Sequence, residues 1–105
     1  MNKIKVTKQE AQRLLANVPE EQAFWSSDGQ VFRNLQDLHT GLHKMSDETY
    51  YYHFNAEKHD FSNWLKDVVQ DDKLASDLEK PIDRHGAALR VNYRIEFLNY
   101  KLAKS

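Results

Sequence analysis

Apolar residues recur at helical spacing in the middle of the chain. Four of them stand at i, i+3, i+7 and i+10: Leu35, Leu38, Leu42 and Met45. This spacing places them on one face of a helix predicted over about 35–45. Asn34 is a favourable N-cap for it, although Gly41 lowers its helix propensity. The pattern predicts a helix with one buried face.

Two more helices are indicated by capping signals. Thr7 with Glu10 three residues later forms a capping box for a helix over about 8–17. Ser46 is the predicted N-cap of a short helix that contains the run "TYYYHF", with acidic residues in its first turn. Met45 and Tyr50 on either side of that cap have the positions of a hydrophobic staple. A strand is the alternative for this run, and the capping signals favour the helix.

A β-hairpin is predicted near residues 22–33. Phe24, Trp25, Val31 and Phe32 are strand-forming residues. Asp28-Gly29 between them is typical of a two-residue hairpin turn. We expect strands at about 22–27 and 30–33. Because a lone hairpin is marginally stable, it should pack on the helices.

The segment "AEKHDFSNWLKDV", residues 56–68, is interpreted as the capped start of an amphipathic helix. Asp60 is the predicted N-cap, accepting a hydrogen bond from a backbone N–H two or three residues later. The expected core face of this helix consists of Phe61, Trp64, Leu65 and Val68. His59 is expected to pack its ring on Trp64, and His53 belongs to the same structural motif.

The last third of the chain predicts a short helix followed by a long one. Asp71 or Asp72 should cap the short helix, whose inward residues are Leu74, Ala75 and Leu78. Pro81 fits the first turn of the long helix, predicted over about 82–103.

The long helix has two apolar stripes on nearly opposite sides. The first consists of Ala88, Val91, Ile95, Leu98 and Leu102, and the second of Ile82, Leu89, Tyr93, Phe97 and Tyr100. A helix that is apolar on two sides is covered on two sides. We favour a helix that runs through the centre of the domain; the alternative is that one stripe meets another chain. Together these elements predict a mainly α fold, a single helical domain over 1–105 with one short hairpin.

Composition limits the functions to be considered. The chain has no cysteine, which excludes disulfides, thiolate nucleophiles and cysteine-ligated metals. Neither a membrane-spanning apolar run nor a signal-peptide pattern is found, so a cytoplasmic location without membrane contact is expected. The net charge is -1, but the charges are unevenly distributed along the chain. Residues 46–80 carry 9 acidic and 4 basic side chains, whereas residues 81–105 carry 2 acidic and 5 basic side chains. A neutral total argues against bulk affinity for nucleic acid.

The residues from Phe24 to about Leu78 carry a family-like pattern. They include Asp28-Gly29, Met45-Ser46-Asp47-Glu48, His53, Glu57-Lys58-His59-Asp60-Phe61, Trp64 and Leu74-Ala75. This stretch resembles a small bacterial and archaeal family of unknown function with a Glu-Lys-Asn-Asp-Phe-x-x-Trp type motif. The family usually has asparagine where this chain has His59. The resemblance implies a helical module that also occurs attached to other domains, which favours interaction over catalysis.

Enzyme-like chemistry has few candidates in this sequence. His39 and His43 have the i, i+4 spacing that can chelate a metal from one helix face, and His53, His59 and Asp60 could complete a set. Thr40 stands where a zinc protease helix would have glutamate. The serines lack the glycines of a nucleophile elbow, and no glycine-rich phosphate loop is present. We therefore predict a non-enzymatic protein with no cofactor and no specific metal site.

Two partner hypotheses concern the long helix. Arg90, Arg94 and Lys101 line up beside Phe97, a pattern that can bind phosphate and stack a base. We prefer a structural interpretation, in which the basic side chains flank the stripe or pair with the acidic segment. Tyr93, Phe97 and Tyr100 beside the arginines have the composition of a protein interface. The favoured function is an interaction module that self-associates through this helix, as a symmetric dimer, or binds another protein.

Overall fold

The elements follow the predicted order along the chain. The computed structural model describes residues 6–104. Its helices are α1 (Lys8–Leu15), α2 (Leu35–Lys44), α3 (Asp47–His53), α4 (Asp60–Trp64), α5 (Asp72–Asp77) and α6 (Arg84–Ala103). A 3-10 turn at Glu20–Gln22 precedes strands β1 (Phe24–Trp25) and β2 (Val31–Phe32), and a π-helical segment at Leu65–Val69 continues α4. The mainly helical fold with a short hairpin and a long C-terminal helix is confirmed.

Side-chain caps fix where most of the helices begin. The oxygens of Thr7, Asn34, Ser46 and Asp71 each accept a backbone N–H three residues later, at 2.7–3.1 Å. These predicted caps are confirmed. The start of α6 is different, because Asp83 caps it by accepting the Gly86 N–H at 2.7 Å. Pro81 therefore lies before the helix rather than in its first turn.

The hairpin is shorter than predicted and its loop is longer. Phe24 pairs with Phe32 and Trp25 with Val31. The Ser26 N–H donates to the Gln30 carbonyl at 2.8 Å, which leaves three loop residues instead of two. Gly29 closes the loop with a φ of +96°, a conformation that glycine adopts without steric cost.

An aromatic cluster joins the hairpin to the helices. The Phe24 ring stacks on Phe32 at 5.7 Å and on Phe61 at 5.2 Å, and it meets Trp64 edge-on at 5.9 Å. Tyr50 of α3 also stacks on Phe61, with the ring centres 5.7 Å apart. Trp64 also donates its Nε1–H to the Gln22 carbonyl at 2.9 Å. The hairpin is thus held on α3 and α4, as expected for a two-stranded sheet.

The start of α4 departs from prediction. His59, not Asp60, is the N-cap residue, and no side chain caps this helix. Asp60 is the first helical residue, and its carboxylate turns back to His53 at 2.9 Å. The His59 ring meets Phe54 at 5.5 Å instead of packing on Trp64.

The end of the same core face is also shifted. Phe61, Trp64 and Leu65 are buried as predicted, whereas Val68 is only partly buried against the core and Val69 is buried instead. The π-helical segment explains the difference, because it adds a residue to the turn and rotates the following side chains.

Helix α6 forms the main packing surface for the rest of the chain. It packs against α1, α2 and α5. At its first residue, Arg84 binds Asp47 at 2.8 Å and the Leu42 carbonyl at 3.0 Å, which ties the end of α2 and the start of α3 to α6. No helix within residues 6–104 is both long and apolar enough to cross a bilayer.

Gly41 is required by close packing, a role opposite to the cost predicted for it. A Cβ at this position would lie 2.2 Å from the Phe32 ring. Alanine normally stabilises a helix relative to glycine. Here we expect Gly41→Ala to lower the free energy of unfolding by about 1–3 kcal/mol, because the Phe32 ring must move. Denaturant titration measures this, with Thr40→Ala on the exposed side of α2 as the control. A Gly41→Ala variant as stable as the control would contradict the packing argument.

Candidate functional site

The outward side of α6 exposes four large apolar side chains in a row. Leu89 is 49% exposed, Tyr93 57%, Phe97 39% and Tyr100 57%. We call these four residues the α6 stripe. Their spacing of four, four and three residues keeps them on one helix face. Residues 6–104 cover them only partly, and the stripe holds four of the seven exposed large apolar side chains in this part of the chain.

The two predicted stripes of α6 therefore differ in burial. Ala88, Val91, Ile95 and Leu98 are buried and Leu102 is half-buried. The interpretation of α6 as a central helix covered on both sides by its own chain is wrong. Ile82 does not belong to the outer stripe either, since it precedes α6 and packs against the core.

The basic row beside the stripe is largely paired with acidic residues of the same chain. Arg94 donates Nε and Nη2 to the two carboxylate oxygens of Asp71 at 2.8 and 2.9 Å. Arg90 lies 3.9 Å from Asp77. Lys101 extends its ammonium toward the Phe97 ring, 5.5 Å from its centre. The structural interpretation of Arg90 and Arg94, as partners of the acidic segment, is thus confirmed.

A surface groove of about 520 Å³ lies between α5 and α6. Its lining residues are Lys73, Asp77, Arg90, Tyr93, Arg94 and Phe97. We call it the α5–α6 groove. Four of the predicted partner-binding residues line it, while Tyr100 and Lys101 lie outside it. Lys73 and Asp77 were not identified from sequence, because only the tertiary packing of α5 on α6 brings them beside the arginines.

Arg94 is held rigidly at the base of this groove. Its side chain is only 14% exposed, and the side chain of Asp71 is fully buried. The bidentate contact uses the Nε–Nη2 edge of the guanidinium. A guanidinium has five N–H donors, so the Nη1 end is left available for a second acceptor.

His53 and Asp60 are brought together, but their geometry is structural. The backbone N–H of Ser27 donates to Nε2 of His53 at 3.0 Å. Nδ1 must then carry the proton, and it donates to Asp60 at 2.9 Å. Both ring nitrogens are engaged and the residue is 5% exposed. In this arrangement His53 offers no lone pair to a metal ion or to a substrate.

The other histidines do not assemble into a metal site. The His39 and His43 rings lie 4.7 Å apart on α2, and burial, with a smaller contribution from His43, lowers the pKa of His39. A low pKa keeps a ligand nitrogen free of its proton. However, no group of three or more histidine, aspartate or glutamate side chains within residues 6–104 could hold a metal.

Comparisons with known proteins add no further constraint. No family model, no curated protein and no solved structure matched the chain. The resemblance noted for residues 24–78 stays a prediction. The geometry does give its residues structural roles: for example, Asn55 accepts the N–H groups of Glu57 and Lys58, which closes the loop before α4.

The Asp71–Arg94 pair should contribute strongly to stability. Asp71→Asn removes the charge that faces Arg94 but keeps an oxygen for the cap of α5. Because a mostly buried guanidinium then loses its counterion, we expect a loss of about 3–5 kcal/mol in the free energy of unfolding. Denaturant titration tests this, with Asp72→Asn, at the exposed neighbouring position, as the control. A loss under about 1 kcal/mol, typical of an exposed pair, would contradict this expectation.

Proposed function

We propose that this chain is a cytoplasmic, non-enzymatic interaction module that self-associates through the α6 stripe. The observation that carries the proposal is the row of four exposed large apolar side chains on one helix. Three of the four are aromatic, and arginines flank them, which is the composition typical of interface centres. Two copies of one helix face form a self-complementary contact, as a twofold dimer requires.

The size of the stripe indicates how strong the association should be. A large aromatic side chain buries about 150–250 Å² when fully covered, so the exposed fractions of the four side chains correspond to roughly 400 Å² per chain. Two stripes together give roughly 800 Å², below the roughly 1,200 Å² typical of stable complexes. Flanking side chains such as Arg90 and Lys101 add to the area. We therefore expect a weak dimer that depends on protein concentration.

Nucleic-acid binding is the less favoured alternative. Of the three basic residues in the row, Arg94 is neutralised by Asp71 and Arg90 lies near Asp77. Counterion release scales with the number of phosphates neutralised, so few free cations give little affinity at physiological salt. A histidine metal site, the remaining alternative, has only the His39–His43 pair in its favour.

Light scattering over a wide range of protein concentrations tests self-association. The wild-type mass should rise from 12.4 kDa toward twice that value. The variant Leu89→Gln/Tyr100→Gln should stay at the monomer mass, because it removes apolar area from the stripe. Glutamine is a good helix former, so α6 itself should persist.

The matched control is Tyr52→Gln on α3. Tyr52 is 55% exposed, close to the 57% of Tyr100, but it lies outside the stripe. The control should associate as the wild type does. A wild-type protein that remains monomeric at every concentration would show that self-association is wrong. If Tyr52→Gln weakened self-association as much as the stripe variant does, the stripe would not be the interface.

A further inference from the structure

We infer that the α5–α6 groove binds a short acidic peptide segment that carries an apolar side chain. The groove combines cations with two aromatic rings in an open surface depression of about 520 Å³. A carboxylate would meet the cations while an apolar side chain covers Tyr93 and Phe97. The groove shares Tyr93 and Phe97 with the α6 stripe, whereas its charged residues Lys73, Asp77 and Arg90 lie outside the stripe. A bound peptide and a second copy of the chain would therefore compete for the two rings.

The charges that line the groove are not balanced. Lys73, Arg90 and Arg94 face it, and Asp77 is the only carboxylate that residues 6–104 contribute to its lining. Even when the buried Asp71 is counted against Arg94, three cations stand against two carboxylates. Lys73 binds Asp77 at 2.8 Å, and Arg90 and Lys80 lie 3.9 and 4.0 Å from it, so this single carboxylate is shared by three cations. The excess positive charge favours an anionic partner.

Arg94 gives the groove a preorganised hydrogen-bond donor, while Asp71 balances its charge. Asp71 holds its Nε–Nη2 edge at 2.8–2.9 Å, which fixes the plane of the guanidinium. The Phe97 ring, 5.4 Å from the guanidinium carbon, restricts it further. A side chain that is already ordered loses little entropy when a carboxylate binds its free Nη1 end. Lys73 and Arg90, 66% and 45% exposed, can adjust to the rest of the ligand.

A short acidic peptide fits this surface better than a nucleic acid. The cations form one compact group, and the segment 46–80, which includes α5, carries a net charge of -5 (4 basic and 9 acidic side chains). A long polyanion that ran along this segment would be repelled. A peptide with one or two carboxylates and an aromatic residue needs only the groove itself.

The test uses a short fluorescein-labelled peptide of alternating glutamate and phenylalanine, measured by fluorescence anisotropy at low salt. Two matched peptides have glutamine in place of glutamate, or alanine in place of phenylalanine. The first peptide should bind most tightly, and added salt should weaken its binding. The variant Lys73→Gln/Arg90→Gln should bind it about three- to tenfold more weakly, since both cations are largely exposed. Arg94 is left unchanged because it holds Asp71.

The dimer variant Leu89→Gln/Tyr100→Gln separates this inference from the proposed function. It should still bind the acidic peptide, because neither residue lines the groove. Circular dichroism confirms that the variants are folded. The inference is wrong if the glutamate peptide shows no binding at low salt, or if the glutamine peptide binds equally well. A labelled single-stranded oligonucleotide that binds more tightly than the peptide would overturn it in favour of nucleic acid.

Discussion

The buried carboxylate of Asp71 is the constraint on which the arrangement of the C-terminal half depends. Its oxygens accept two hydrogen bonds from Arg94 on α6 and one from the Leu74 N–H at the start of α5. Its own N–H donates to the Leu65 carbonyl at 2.9 Å and closes the π-helical segment. One residue, through its side chain and its backbone N–H, thus fixes three elements relative to each other, and leaving either charge unpaired in the interior would be costly.

This constraint also determines what the surface of α6 presents. With α5 held close to α6, the arginines that a helical wheel places in a solvent-exposed basic row become the wall of a groove. The preceding residue, Gln70, has a φ of +67°, a conformation that a non-glycine residue adopts only at some cost. Arg13 of α1 binds the carbonyls of Val69 and Gln70 across this turn. The strained turn is stabilised by contacts from outside it.

Sequence reasoning succeeded for the helices whose positions are determined by residues close together in the chain. Apolar periodicity and short polar caps place α2, α3 and α5 correctly, because both signals act within a few residues. It failed at Asp60, whose carboxylate has a better partner in His53, seven residues earlier. It also missed the π-helical segment, because no local propensity signals the extra residue in that turn. The groove could not be predicted, since Lys73 and Asp77 meet the arginines only through packing.

The two sides of α6 differ in what covers them. On the inner side, the small Ala87 and Ala88 are buried where α6 packs against its neighbours. On the outer side, cations lie near the exposed rings, with Lys101 5.5 Å from the centre of Phe97 and Lys104 5.5 Å from that of Tyr100. Such contacts restrict an exposed aromatic ring without burying it. Phe97 and Tyr100 are therefore restricted even while they are exposed, which lowers the entropic cost of covering them.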